Sequence, residues 1–202
     1  MPRPPRKLQD NGFYHLISRG NNRFALFMID DGFPAFKEIL LKTKEKFDWK
    51  IHHYCLMPNH FHLLVCIPDS RELPRIMHSL LLEYSRWYRK RTEYVGYLWQ
   101  GRYRAFLIEK ESYLFACGRY IERNPVRAEL AKQAENYLWS SYRYYAFGQK
   151  EKLIDEDPSY ASFGTTDADR QKKYREFVQI ENPYEEWVDR FYLENHFNPA
   201  PR

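Results

Sequence analysis

The sequence predicts an α+β fold of the ferredoxin-like, split βαβ kind: one antiparallel sheet with helices packed on it, followed by a C-terminal helical appendage. Three observations carry this. Segments with period-2 or continuous apolar character alternate with amphipathic segments in the order β-α-β-β-α-β. The two middle strands are joined by Met57-Pro58-Asn59, a break that needs no crossover. Hydrophobic residues make up 44% of the 202-residue chain and charged residues 29%, a balance that supports a packed core.

The elements follow in order. Residues 13–19, FYHLISR, form a strand, and Gly20-Asn21-Asn22 turns the chain. Residues 33–47 place Phe36, Ile39, Leu40 and Phe47 at helical spacing between lysines. Residues 49–56 and 60–67 are strands on either side of the Pro-Asn break. Asp69 with Glu72 reads as a capping box. The helix after it gathers Leu73, Ile76, Met77, Leu80, Tyr84, Trp87 and Tyr88 on one stripe. Residues 104–109 form the fourth strand. Residues 112–123 form a helix that Pro125 stops near Asn124. The loose polar stretch 148–169 reads as a linker or long loop, and 170–180 and 184–195 as helices of an appendage docked on the main body. The division is therefore 1–147 as the main domain and 148–202 as linker and extension.

The charge is unevenly spread. Residues 1–149 carry 24 Lys/Arg against 15 Asp/Glu, a net +9, and residues 150–202 carry a net −4. A basic body suggests a polyanionic partner, the plain alternative being a solvated surface that happens to be basic. The 17 Tyr, 14 Phe and 5 Trp suit base stacking as well as cores. The three cysteines form neither a disulfide framework nor a zinc ribbon, which suits a reducing cytoplasm. No apolar run approaches the ~20 residues of a membrane helix, and no apolar stretch follows the basic start as in a signal peptide. Walker A, GxGxxG, GxSxG and zinc-deaminase patterns are all missing, so no nucleotide cofactor is expected.

Three groups of residues could carry chemistry. His60 and His62 alternate on a strand and so share a face, a half-site for a divalent metal. The plain alternative is two ordinary polar strand residues. Tyr120 and Asn124 are stacked one helical turn apart. A phenol attacks phosphorus once it loses its proton, and a metal on the phosphate assists. The alternative is a buried stripe of Tyr113, Cys117 and Tyr120. Arg89, Lys90, Arg91, Arg102 and Arg104, with the turn residues Arg19, Asn21, Asn22 and Arg23, offer guanidinium and amide groups to phosphates and bases. Trp87 and Tyr88 belong to the core stripe.

Taken together, these motifs resemble one family. MPNHFHLLV (57–65) looks like the metal motif of the single-tyrosine HUH transposases. LWQGRY (98–103), RYIERNPVRA (119–128) and WSSY (139–142) are similar to the REP-associated tyrosine transposase branch, the IS200-like group. The resemblance spans about residues 13–147. It implies an enzyme that cuts single-stranded DNA beside imperfect hairpins with Mg²⁺ or Mn²⁺. It implies a 5′-phosphotyrosine intermediate, a freed 3′-OH and strand transfer without ATP. By residue, it assigns His60 and His62 to the metal, Tyr120 to the nucleophile, and Asn124 to metal assistance, where many relatives have Gln. It favours a monomer over a dimer and a cytoplasmic, nucleoid-associated location. Glu129 departs from the Gly of many relatives, and residues 148–202 match no assigned role. Their −4 charge suggests a shield over the DNA groove. The competing readings are a hairpin-binding module without cleavage and an interaction protein using the acidic tail.

Overall fold

The computed structural model describes residues 8–109 and 112–180; the helix expected over 184–195 lies outside them. In chain order the elements are β1 (Gly12–Arg19), α1 (Gly32–Phe47), β2 (Lys50–Met57), β3 (His60–Ile67), α2 (Leu73–Arg91), β4 (Arg104–Ile108), α3 (Ser112–Arg127), α4 (Tyr142–Phe147) and α5 (Asp167–Gln179). The sheet order is β2-β3-β1-β4 with every neighbouring pair antiparallel. This is the ferredoxin-like arrangement that the sequence predicts.

The sheet separates two layers because alternate side chains face opposite ways. Tyr14, Leu16, Phe61, Leu63 and Val65 point toward α1 and α2 and build the larger core. Phe61 packs on Phe36 and Trp99 there. Ile17, Cys55, Met57 and Leu64 point the other way, against Leu114, Cys117, Tyr120 and Ile121 of α3. The stripe on α2 buries Leu73, Ile76, Met77, Leu80, Tyr84 and Tyr88, whereas Trp87 is half-buried and stacks on Tyr84.

Three local expectations are corrected. Asp69 does cap, accepting from the backbone N–H of Arg71, but it opens a 3-10 turn over Ser70–Glu72. Glu72 pairs with Arg75 instead of closing a box. Helix α3 runs past Pro125 to Arg127. Proline removes a single N–H so close to the helix end. The side-chain amide of Asn124 donates to the Tyr120 carbonyl (2.7 Å), and the Ala128 and Leu130 N–H groups bond the Asn124 and Pro125 carbonyls. These bonds hold the residue before proline in its helical conformation. Tyr113 is 47% exposed, so the buried stripe of α3 is Leu114, Cys117, Tyr120 and Ile121.

Residues 148–166 run as a long loop with one 3-10 turn at Tyr160–Phe163, packed on the body. Leu153, Ile154, Tyr160, Tyr174 and Val178 join the larger core. The edge of β2 is covered by residues 139–155: Leu56 N–H donates to Trp139 O, Ser141 N–H to Tyr54 O, and Asp155 N–H to Ile51 O. Covering an edge strand removes its open hydrogen-bonding groups.

Candidate active site

Strand β3 begins at His60, and the register sets His60 opposite Arg19 of β1 and His62 opposite Ile17. Both imidazoles lie on the α3 side, 3% and 0% exposed. Their ring centroids are 4.9 Å apart. His60 Nδ1 donates to Asn59 Oδ1 (2.6 Å), because an amide oxygen only accepts. His60 Nε2 is then a buried lone pair with no partner among the described residues. Burial, followed by the charge of Arg19, pushes His60 down to about 3. Burial also holds His62 well below the usual imidazole range, helped by His60, His15 and Arg127. Both rings are therefore neutral near pH 7, the form that binds metal.

Helix α3 lays Tyr120 over this pair. The Tyr120 ring meets that of His62 edge-on at 5.7 Å and is fully buried. Asn124, one turn further, is 6% exposed. Its amide nitrogen donates to the Tyr120 carbonyl, and Oδ1 is its acceptor atom. The structure thus brings His60, His62, Tyr120 and Asn124 to one layer.

Two neighbours that sequence reading did not assign stand beside them. His15 of β1 bonds His62 (Nε2 to Nδ1, 2.9 Å) and meets the Tyr120 ring at 5.7 Å. The Arg127 guanidinium lies 5.2 Å from the Tyr120 ring centroid. Arg127 stood inside the RYIERNPVRA motif, and two turns from Tyr120 puts it on the same helix face. His15 gave no local signal, since its closeness to His62 depends on strand register.

The basic residues divide. Arg19 is 3% exposed and donates through Nε and Nη2 to Gln100 Oε1 (2.9 and 2.7 Å). Burial lowers it, with the charges of Arg23 and Arg104 adding to the effect. These three arginines therefore meet at the His60 end of the sheet. Asn21, Asn22 and Arg23 are exposed, the last two in left-handed conformation (φ 50° and 58°). Arg89, Lys90 and Arg91 are exposed on the last turn of α2. Arg89 donates to Gly96 O, whereas Arg91 lies over Trp87 and near Asp31. Arg89 and Asn21 line one groove of about 490 Å³ with Tyr97, Leu98 and Trp99. Arg102 is exposed on the adjoining loop.

A second buried polar cluster lies on the same sheet face. His53 sits between Glu122 (3.0 Å) and Asp157 (3.2 Å). Ser141 and Tyr174 also donate to Glu122. Despite the cost of burial, these carboxylates raise His53 to about 9, and Asp157 falls to about 2. A Cβ on Gly118 would come within 2.8 Å of the His53 ring, so only glycine fits that turn of α3. This cluster ties β2, α3 and residues 141–174 together.

A four-stranded antiparallel sheet therefore carries two neutral histidines and a helix-borne tyrosine on one face. A family model described as IS200-like transposase matches residues 9–124, more than half the chain and through the last residue of this site. The chain belongs to the IS200-like transposase family. Among solved structures, it is similar to a REP-associated tyrosine transposase bound to a REP hairpin. That similarity has a TM-score of 0.65 at 18% identity, over 78% of this chain and 93% of the other. It supports the fold. A Deinococcus radiodurans R1 protein assigned as a transposase matches over 61% of this chain and 97% of its own. Its 20% identity and TM-score of 0.42 carry no argument. No curated protein sequence matches significantly. No described helix is long and apolar enough to cross a membrane.

Proposed function

We propose that this transposase is a metal-dependent endonuclease and strand transferase. Its substrate is single-stranded DNA beside a hairpin, the structure bound by its REP-associated relative. The observation that carries the reading is Tyr120 held against His62, one of two adjacent neutral histidines. Tyr120 Oη bonds to the scissile phosphorus and loses its proton, while the P–O3′ bond breaks and the 3′-oxygen is protonated. The DNA keeps a 3′-OH, and its 5′-phosphate stays on Tyr120. A later 3′-OH reverses the step, so no nucleotide cofactor is needed.

His60 Nε2, His62 and the Asn124 Oδ1 would hold Mg²⁺ or Mn²⁺. No group of three His, Cys, Asp or Glu among the described residues is arranged for a metal, so DNA oxygen or water would complete the shell. When bound, the ion polarises the phosphate as a Lewis acid. Arg127 beside Tyr120 places positive charge where phosphate charge develops. Arg19, Asn21, Asn22, Arg23, Arg89, Lys90, Arg91, Arg102 and Arg104 serve backbone and base contacts, with Arg19 acting through Gln100. One chain supplies both histidines and its own tyrosine, which supports a monomer. Residues 1–147 carry the chemistry, and the extension buttresses α3 through Tyr174 on Glu122 and β2 through Asp157 on His53.

The complete burial of Tyr120 favours a second reading, a hairpin-binding protein that does not cleave. Cleavage instead requires α3 to draw back as DNA enters. Labelled hairpin oligonucleotides from the DNA flanking the gene, incubated with Mn²⁺ or EDTA, separate the two. Metal-dependent nicking that His60→Ala and His62→Ala abolish supports the enzyme. Tight binding without nicking under every condition supports the second reading.

A further inference from the structure

We propose that His15 is a positioning residue for the candidate metal centre, fixing the ring and proton of His62; this rests on the metal-dependent reading above. His15 lies on β1, fully buried, and its only hydrogen bond among the described residues is to His62. That contact, Nε2 to Nδ1 at 2.9 Å, engages the one His62 nitrogen that faces away from a cation bound through Nε2. The two rings also stack at 5.2 Å, which fixes the tilt of His62 as well as its proton.

The proton can occupy that bond in two ways. If His15 donates, His62 carries its own proton on Nε2 and has no lone pair for a cation there. If His62 donates from Nδ1, Nε2 is open and His15 is the acceptor. Metal-bound histidines characteristically donate their other N–H to such an acceptor, and losing it typically costs about 10–100-fold in metal affinity. Here a third histidine takes the place of the usual carboxylate or carbonyl.

Packing alone does not account for the residue. Apart from His62, the neighbouring positions on this face in the strand register are apolar: Phe13 and Ile17 on β1, Leu64 on β3, Phe106 on β4. His15 Nδ1 is buried without a partner among the described residues. An apolar side chain would fill the site without that cost. The retained imidazole is explained by the bond it accepts.

Two variants separate this role from packing. His15→Phe keeps a ring against Phe106 and Tyr120 but accepts no hydrogen bond. His15→Gln keeps an acceptor. Mn²⁺ affinity of each folded protein, read by electron paramagnetic resonance of the free ion without DNA, is compared with wild type and His60→Ala. The expected result is a 10–100-fold loss for His15→Phe, with most of it recovered in His15→Gln. Nitrogen NMR of the Mg²⁺-loaded wild type should place the proton on His62 Nδ1. Wild-type affinity in His15→Phe, or equal loss in both variants, overturns the inference while leaving the metal site standing. Mn²⁺ binding that His60→Ala does not weaken overturns the metal reading and this inference with it.

Discussion

Two groups of buried histidines share the α3 face of the sheet and have opposite characters. His53 lies between Glu122 and Asp157 and is held charged, with its value raised to about 9. His60 and His62 are held neutral by burial and by the cationic groups around them, His60 near 3. A cation enclosed by two anions is saturated and has nothing left for a ligand. A neutral imidazole is the form that can ligate a divalent ion. Burial alone therefore does not mark a functional histidine; its partners do. Glu122 and Tyr120, two residues apart on α3, put the anchor and the chemistry on the same helix.

The largest expected effect breaks the anchor. Glu122→Gln removes one charge from the buried cluster, with an expected loss of about 3–5 kcal/mol in stability by urea unfolding. A loss below 1 kcal/mol would show that His53 is not charged in the fold. Truncation after Phe147 should do at least as much damage, since it removes Asp157 and Tyr174 and leaves Glu122 and His53 without them. It would unfold the chain before it could expose a DNA groove, so the shielding idea needs a gentler test.

The pH dependence sharpens the same contrast. His53 is raised from 6.5 in the unfolded chain to about 9 in the fold. Its contribution is complete below pH 6.5 and is lost as pH rises toward 9, by up to about 3 kcal/mol. Asp157, lowered to about 2, contributes fully above its ordinary 3.8 and fails only in strong acid. Stability should thus decline between pH 6.5 and 9, and His53→Gln should flatten that limb. A wild-type protein equally stable at both ends would contradict the assignment.

A smaller effect concerns the exposed end of α2. Arg89→Ala and Lys90→Ala should weaken hairpin DNA binding and each reduce the salt slope by about 0.7–1. Arg91→Ala should change it less, because Arg91 is already engaged with Trp87 and Asp31. Equal slopes for all three would remove the distinction.

Much of this was legible in the sequence. The bounds of β3 and the burial of Phe61 behind it follow from alternation alone. The α2 stripe follows from helical periodicity, with Trp87 at its margin. Helix α3 was cut short because the Pro125 rule is local, whereas the bond from Asn124 to the Tyr120 carbonyl offsets it. Four histidines within eleven residues looked alike in one dimension. What separates His53 from His60 is Asp157, 104 residues further along the chain. His15 was hidden for the same reason: register brings β1 beside β3, and no local spacing encodes register.

The central claim is that Tyr120, not another of the 17 tyrosines, attacks the phosphate. The most direct measurement is mass spectrometry of the protein–DNA adduct. It would be trapped with Mn²⁺ on a flanking-hairpin oligonucleotide, with Tyr120→Phe in parallel. A 5′-phosphonucleotide on the Tyr120 peptide, missing with EDTA and in the variant, is the result expected. An adduct on another tyrosine, or one that persists in Tyr120→Phe, would contradict the claim.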